Sequence, residues 1–157
     1  MLMTPAIELA KQRGLDFEIH DYHHDPKAAS YGLEAAEKLG VEPSQVFKTL
    51  VVVTETGTLA VAIIPVDSSL NVKKMAKALR CKKVQMADPK QVERTTGYVL
   101  GGVSPLGQKK RLASVIDNSA QTKRTIYVSA GRRGLEIELP PEQLAETIQA
   151  AMAELID

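Results

Sequence analysis

The 157-residue sequence has no tryptophan, two phenylalanines and a single cysteine, Cys81. One thiol excludes an internal disulfide and a cysteine-built zinc cluster, and gives no sign of an oxidising compartment. Histidine is confined to one short stretch, His20, His23 and His24, with no HExxH pattern and no second ligand cluster, so neither a metal nor another cofactor is expected. No window approaches the roughly 18 consecutive apolar residues of a membrane span. The N-terminal MLMTPAIELAKQRG carries charge too early for a signal peptide and no cleavage pattern follows it, which points to the cytoplasm. A surplus of one charge sign is also missing. A formal net charge of +1 speaks against a protein that wraps DNA, while leaving room for a local basic patch.

What is present reads as one domain over residues 1–157, because the length and an apolar content of 44% suit a single core. Thr4 and Pro5 form a helix start, and Lys11, Arg13 and Gly14 its end. Leu15, Phe17 and Ile19 alternate as in a half-buried strand, and HDYHHDPKAAS follows as a polar loop. Ser30 caps a helix through Leu39, and Pro43–Val46 fits a helical turn. Thr49–Val53 and Leu59–Ile64 read as a hairpin across Glu55, Thr56 and Gly57. Asn71 caps a third helix whose apolar stripe is Val72, Met75, Ala76 and Leu79. Lys83–Met86 reads as a short strand. Asp88, Pro89 and Gln91 resemble a capping box, opening a helix that stops near Gly97. Tyr98–Leu100, Leu112–Ile116 and Ile126–Ser129 read as strands. The GRRG turn at 131–134 leads into the alternating Leu135, Ile137 and Leu139. A final helix after Pro140 and Pro141 presents Leu144, Ile148, Met152 and Ile156. Many short strands with helices inserted and at both ends predict an α+β fold with a mixed, largely antiparallel sheet.

Several residues could carry chemistry. Lys48 opens the apolar run FKTLVVV, either as a strand-end lysine whose ammonium reaches water or as a cation at the mouth of a sheet pocket. GGVSPLG at 101–107 is either a tight turn or a loop whose glycine N–H groups hold an anion; it matches neither a phosphate-binding P-loop nor GxSxG. Lys73, Lys74 and Lys77 share the wet side of the third helix, and Lys109, Lys110 and Arg111 follow the glycine loop. Either group can be a phosphate-binding patch or simply a solvated face. Cys81 sits among lysines without a base beside it, and Ser104 and Ser129 lack a visible base partner, so a nucleophilic triad is not supported.

VFKTLVV at 46–52, KKVQMADP at 82–89, TGYVLGGVSPLGQKKR at 96–111 and IYVSAGRRGLEIEL at 126–139, in this order and spacing, give a resemblance to the YbaK/EbsC family of aminoacyl-tRNA deacylases over nearly the whole chain. The family is related to the editing domain of bacterial prolyl-tRNA synthetase, and the resemblance implies that domain's curved-sheet fold with flanking helices. It implies removal of cysteine from tRNA(Pro), with cysteine on tRNA(Cys) a second substrate, and prolyl-tRNA synthetase as a partner. It places Lys48 at the tRNA 3′ end, and Gly101, Gly102, Val103, Ser104 and Pro105 beside the aminoacyl pocket. Tyr22 and Ser129 fall on pocket positions, and Glu136 stands where relatives often have aspartate. The implied chemistry needs no protein nucleophile, because the substrate's own thiol attacks its ester carbonyl and leaves as a thiolactone. Two other readings stand beside it. One is an editing enzyme for alanine on tRNA(Pro) or for a broader set of aminoacyl groups. The other is a noncatalytic tRNA- or synthetase-binding module that keeps the basic patch and needs no ordered pocket around Lys48.

Overall fold

A computed structural model describes residues 3–157. Five helices and eight strands follow the chain order α1 (Pro5–Gln12), β1 (Glu18–Asp21), α2 (Tyr31–Leu39), β2 (Phe47–Thr54), β3 (Leu59–Pro65), α3 (Val72–Leu79), β4 (Val84–Met86), α4 (Pro89–Thr96), β5 (Ala113–Asp117), β6 (Ile126–Arg132), β7 (Leu135–Leu139), α5 (Pro141–Ile148) and β8 (Ala151–Ala153). Side chains expected as N-caps do cap three helices: Thr4 accepts from the Ile7 N–H, Ser30 from Leu33 and Asn71 from Lys74. Asp88 precedes α4 but its side chain makes no capping bond, so the expected box is not formed; Pro89 at the first position starts that helix.

The strands form two sheets where the sequence suggested one. A three-stranded antiparallel sheet has the order β1-β7-β6, and a five-stranded mixed sheet the order β4-β2-β3-β5-β8. In the larger sheet β4, β2 and β3 are antiparallel, while β5 runs parallel to both β3 and β8. Period-two alternation sorts the side chains between three cores. Phe47, Val51, Val61, Ile63 and Ile116 meet Ile126, Val128, Leu135, Ile137 and Leu139 between the two sheets, closed by α1 and by Leu144 of α5. The opposite face of the larger sheet, with Val52, Ala60, Ala62, Ile64 and Val115, packs on Met75 and Ala76 of α3. A smaller core joins Ala35 and Ala36 of α2 to Val46, Val66 and Tyr127.

Three further expectations change. The residues Tyr98–Leu100 are loop, because the buried Tyr98 ring is anchored by its hydroxyl, which donates to the Leu106 carbonyl at 2.7 Å instead of joining a sheet. The last helix ends at Ile148, with Gln149 in the left-handed region, so Met152 belongs to β8 and Ile156 to a bridge with Leu70 rather than to a helical face. Val72, expected in the stripe of α3, is exposed. Among the described residues no helix is long and apolar enough to cross a membrane.

Candidate functional site

β4 pairs with β2 only along Val52–Thr54, and the Ala87 N–H then donates to the Val51 carbonyl as the chain turns into α4. The first half of β2 therefore lacks a β4 neighbour along that edge. A pocket of about 360 Å³ opens there, within the range of small-molecule sites. β2 supplies Phe47 to Val51, α4 supplies Pro89 and Val92, and the loop after α4 supplies Leu100, Gly101 and Val103. The start of α2 supplies Ser30 to Gly32, and the smaller sheet supplies Ser129 and Glu136, with Tyr22 beside them.

Lys48 makes no ion pair among the described residues. Partial burial holds its ammonium below the usual lysine range, offset by the field of Asp67. Glu136 lines the same pocket. Leu135, Ile137 and Leu139 point into the main core, which sends Glu136 and Glu138 to the other face of β7. Glu136 is only 7% exposed, and its carboxyl has no hydrogen-bond partner among the described residues. Burial pushes its pKa up to about 8, and no cation lies close enough to offset that. Its register partner on β6 is Ser129, whose hydroxyl accepts from the Gly131 N–H at 3.1 Å. Tyr22 is fixed by its N–H to the Gly134 carbonyl at 2.9 Å. Burial, with Glu136 and Glu34 nearby, pushes its phenol up to about 12, so the phenol stays protonated at neutral pH.

The glycine loop divides between wall and support. The Gly102 N–H donates to the Val99 carbonyl at 2.9 Å, closing a turn with Gly101 at φ +82°, where a type II turn requires a residue of this freedom. That N–H is spent in its own turn, so Gly102 does not serve an oxyanion as expected. A Cβ on Gly102 would stand 2.8 Å from the Cα of Arg132, which explains the second glycine by packing. Gly101 and Val103 line the pocket. Ser104 and Pro105 do not: both are buried, and the Ser104 hydroxyl accepts from the Leu106 N–H, so they brace the loop.

The basic groups lie apart from this pocket; none of their side chains lines it. Lys73, Lys77, Lys109, Lys110 and Arg111 are exposed, whereas Lys74 is held by Glu154 at 3.0 Å and by the Ile156 carbonyl. Two of the three histidines serve local networks. His24 Nδ1 meets the buried Glu34 at 2.7 Å, and Glu34 also accepts from the Asp25 N–H at 2.6 Å, which pins the loop before α2. His20 Nε2 meets Glu138 at 2.9 Å, and the Thr125 hydroxyl donates to the same carboxylate at 2.6 Å. Glu18, His20 and Glu138 could together face a cation, but Glu138 already has two protein partners.

Sequence reasoning missed Thr49. The residue lines the pocket, and its hydroxyl is buried without a partner among the described residues. Only tertiary structure exposes that. It also missed the mouth, where the Arg133 guanidinium lies 4.6 Å from the centre of the Tyr31 ring.

The family profile described as an aminoacyl-tRNA editing domain matches residues 25–147. A protein of Enterococcus faecalis, provisionally named a Cys-tRNA(Pro)/Cys-tRNA(Cys) deacylase, is 38% identical over 152 residues, covering 97% of this chain and 92% of that one. A proline–tRNA ligase of Citrifermentans bemidjiense is 33% identical over 116 residues, which are 69% of this chain and 20% of the ligase. Among solved structures, that of a hypothetical protein superposes with a TM-score of 0.88 at 28% identity, covering 98% of this chain and all of that one.

Proposed function

Since the chain belongs to the YbaK/EbsC family of aminoacyl-tRNA editing domains, we propose that it removes cysteine wrongly attached to tRNA(Pro), acting in trans, with cysteine on tRNA(Cys) as a second substrate. The observation that carries this reading is what the pocket contains. It holds one unpaired lysine, one buried carboxyl, several hydroxyls and, among the described residues, no hydroxyl hydrogen-bonded to an imidazole. Such a site can hold and polarise an activated ester, and a thiol carried by the substrate can serve as the nucleophile.

In this reading the cysteine sulfur attacks its own ester carbonyl. The C–S bond forms, the bond to the ribose oxygen breaks, and the thiol proton ends on the ribose hydroxyl, which releases tRNA and a thiolactone. Lys48 holds the oxygen-rich end of the substrate from the free edge of β2. The Gly101 N–H, which has no partner among the described residues, is the one donor of the glycine pair left for the carbonyl oxygen. Glu136 receives the substrate's α-ammonium. A cation arriving there draws the carboxyl's pKa back down, so binding is coupled to loss of a proton. Prolyl-tRNA synthetase is the partner that would deliver such a substrate.

The test is release of labelled amino acid from Cys-tRNA(Pro) and Ala-tRNA(Pro) by the wild type and by Lys48→Ala. Release of cysteine, reduced about 10²-fold in the variant, is expected. Selective release of alanine would keep the editing class and sink the thiol mechanism. No enzyme-dependent release from either would turn the reading towards a binding module.

A further inference from the structure

Exposed large apolar side chains gather at the mouth of the pocket. Tyr31, Met86 and Leu100 line it and are 36%, 53% and 51% exposed; Leu33 and Val99, close to them in sequence, are also exposed. Lone exposed apolar residues are ordinary, but a cluster at the mouth of a site marks a binding surface. This cluster also carries a cation. The Arg133 guanidinium lies over the Tyr31 ring, 4.6 Å from its centre, and its Nε donates to the Leu100 carbonyl at 2.9 Å. Arg133 forms no ion pair among the described residues, so its remaining N–H donors have no carboxylate to satisfy them. The arrangement is built around Gly101, where a Cβ would stand 2.6 Å from Tyr31 and 2.9 Å from the Arg133 Nε. His24, fixed by Glu34, lies 5.7 Å from the Tyr31 ring and tilted to it.

Resting on the editing reading above, we infer that Tyr31 and Arg133, edged by Leu100 and Met86, form the platform on which the 3′-terminal base of the RNA stacks. With the acyl group against Glu136, the ribose lies at the mouth and its base can reach this rim. An exposed aromatic ring with a flat guanidinium on it presents the π-faces that bind any base by stacking, and the free guanidinium donors suit the adjoining phosphate. A surface for a protein anchor would need neither an unpaired guanidinium nor a place beside the ester. Tyr31 and Arg133 are positioning residues here, because they hold the nucleoside and do not touch the reacting carbonyl.

The experiment measures binding of an uncharged RNA hairpin ending in CCA, and of the same hairpin with its terminal base removed, by fluorescence anisotropy. Wild type, Arg133→Ala, Arg133→Lys and Tyr31→Leu are compared. Loss of the base should weaken wild-type binding about tenfold and cost the Arg133→Ala and Tyr31→Leu variants little more than they have already lost. Arg133→Lys keeps the charge but not the stacking plane, and should behave like Arg133→Ala. A merely structural role would lower affinity for both hairpins and leave their ratio intact, which would overturn the inference. So would a wild type indifferent to the base, or one that binds neither hairpin. Because this readout needs no catalysis, base-dependent binding without ester release would defeat the editing reading alone.

Discussion

Glu136 is the residue whose environment departs furthest from water. The carboxyl ionises near 4.5 in an exposed chain and near 8 in the fold. Below about pH 4.5 both states keep the proton and the fold suffers no penalty. Between these values the unfolded chain loses its proton first, so stability falls as pH rises, and above about pH 8 it levels off. Glu136→Gln keeps the shape of the protonated form and removes this slope. Its stability should match the wild type at pH 5 and pull ahead by pH 8, by an amount on the order of 2–4 kcal/mol. Thermal melts across that range decide it, and a gap that does not vary with pH would mean that Glu136 ionises normally. Lys48 has the opposite problem, a cation held partly out of water with only Asp67 to help. Both residues are legible in the sequence, Lys48 because it opens an apolar strand and Glu136 through family resemblance. Thr49 was not, because an orphan hydroxyl is defined by what surrounds it and leaves no trace in residue order.

At the scale of elements, the turn after α4 sets the distance between the two halves of the pocket. Its second glycine faces backbone rather than a side chain that could swing away: Arg132 Cα at 2.8 Å and Arg133 N at 3.2 Å from a notional Cβ. Gly102→Ala should cost on the order of 1–3 kcal/mol in denaturant unfolding and weaken substrate binding, because the turn must retreat from β6. Helix starts and the β2–β3 hairpin were readable, since caps, turn residues and apolar periods act over a few positions. Tyr98–Leu100 and the end of the last helix were not. Strand propensity around Tyr98 yields to a hydroxyl bond to Leu106 within the same loop. The helical spacing of Met152 and Ile156 is coincidental, because the chain reverses at Gln149 to add β8 beside β5.

For the whole molecule, the segment that follows that last strand acts as a clasp. Leu155 is fully buried, its N–H donates to Asp117 at 2.9 Å and its carbonyl accepts from Asn71 at 2.7 Å, so the C-terminal segment joins the larger sheet to the start of α3. Leu155→Ala should cost about 2–5 kcal/mol in equilibrium unfolding while the pocket, which Leu155 does not line, keeps its substrate preference. The α+β class was legible; the split into two sheets was not, since strand partners are set by contacts across the chain. The pocket, finally, takes its walls from all three cores: Phe47 and Val103 from the first, Leu50 from the second, Val46 and Val66 from the third. Whatever occupies it becomes a keystone. Amide hydrogen exchange should then slow together in three regions that otherwise open on their own schedules, and the breathing of the empty protein would set how readily a substrate enters.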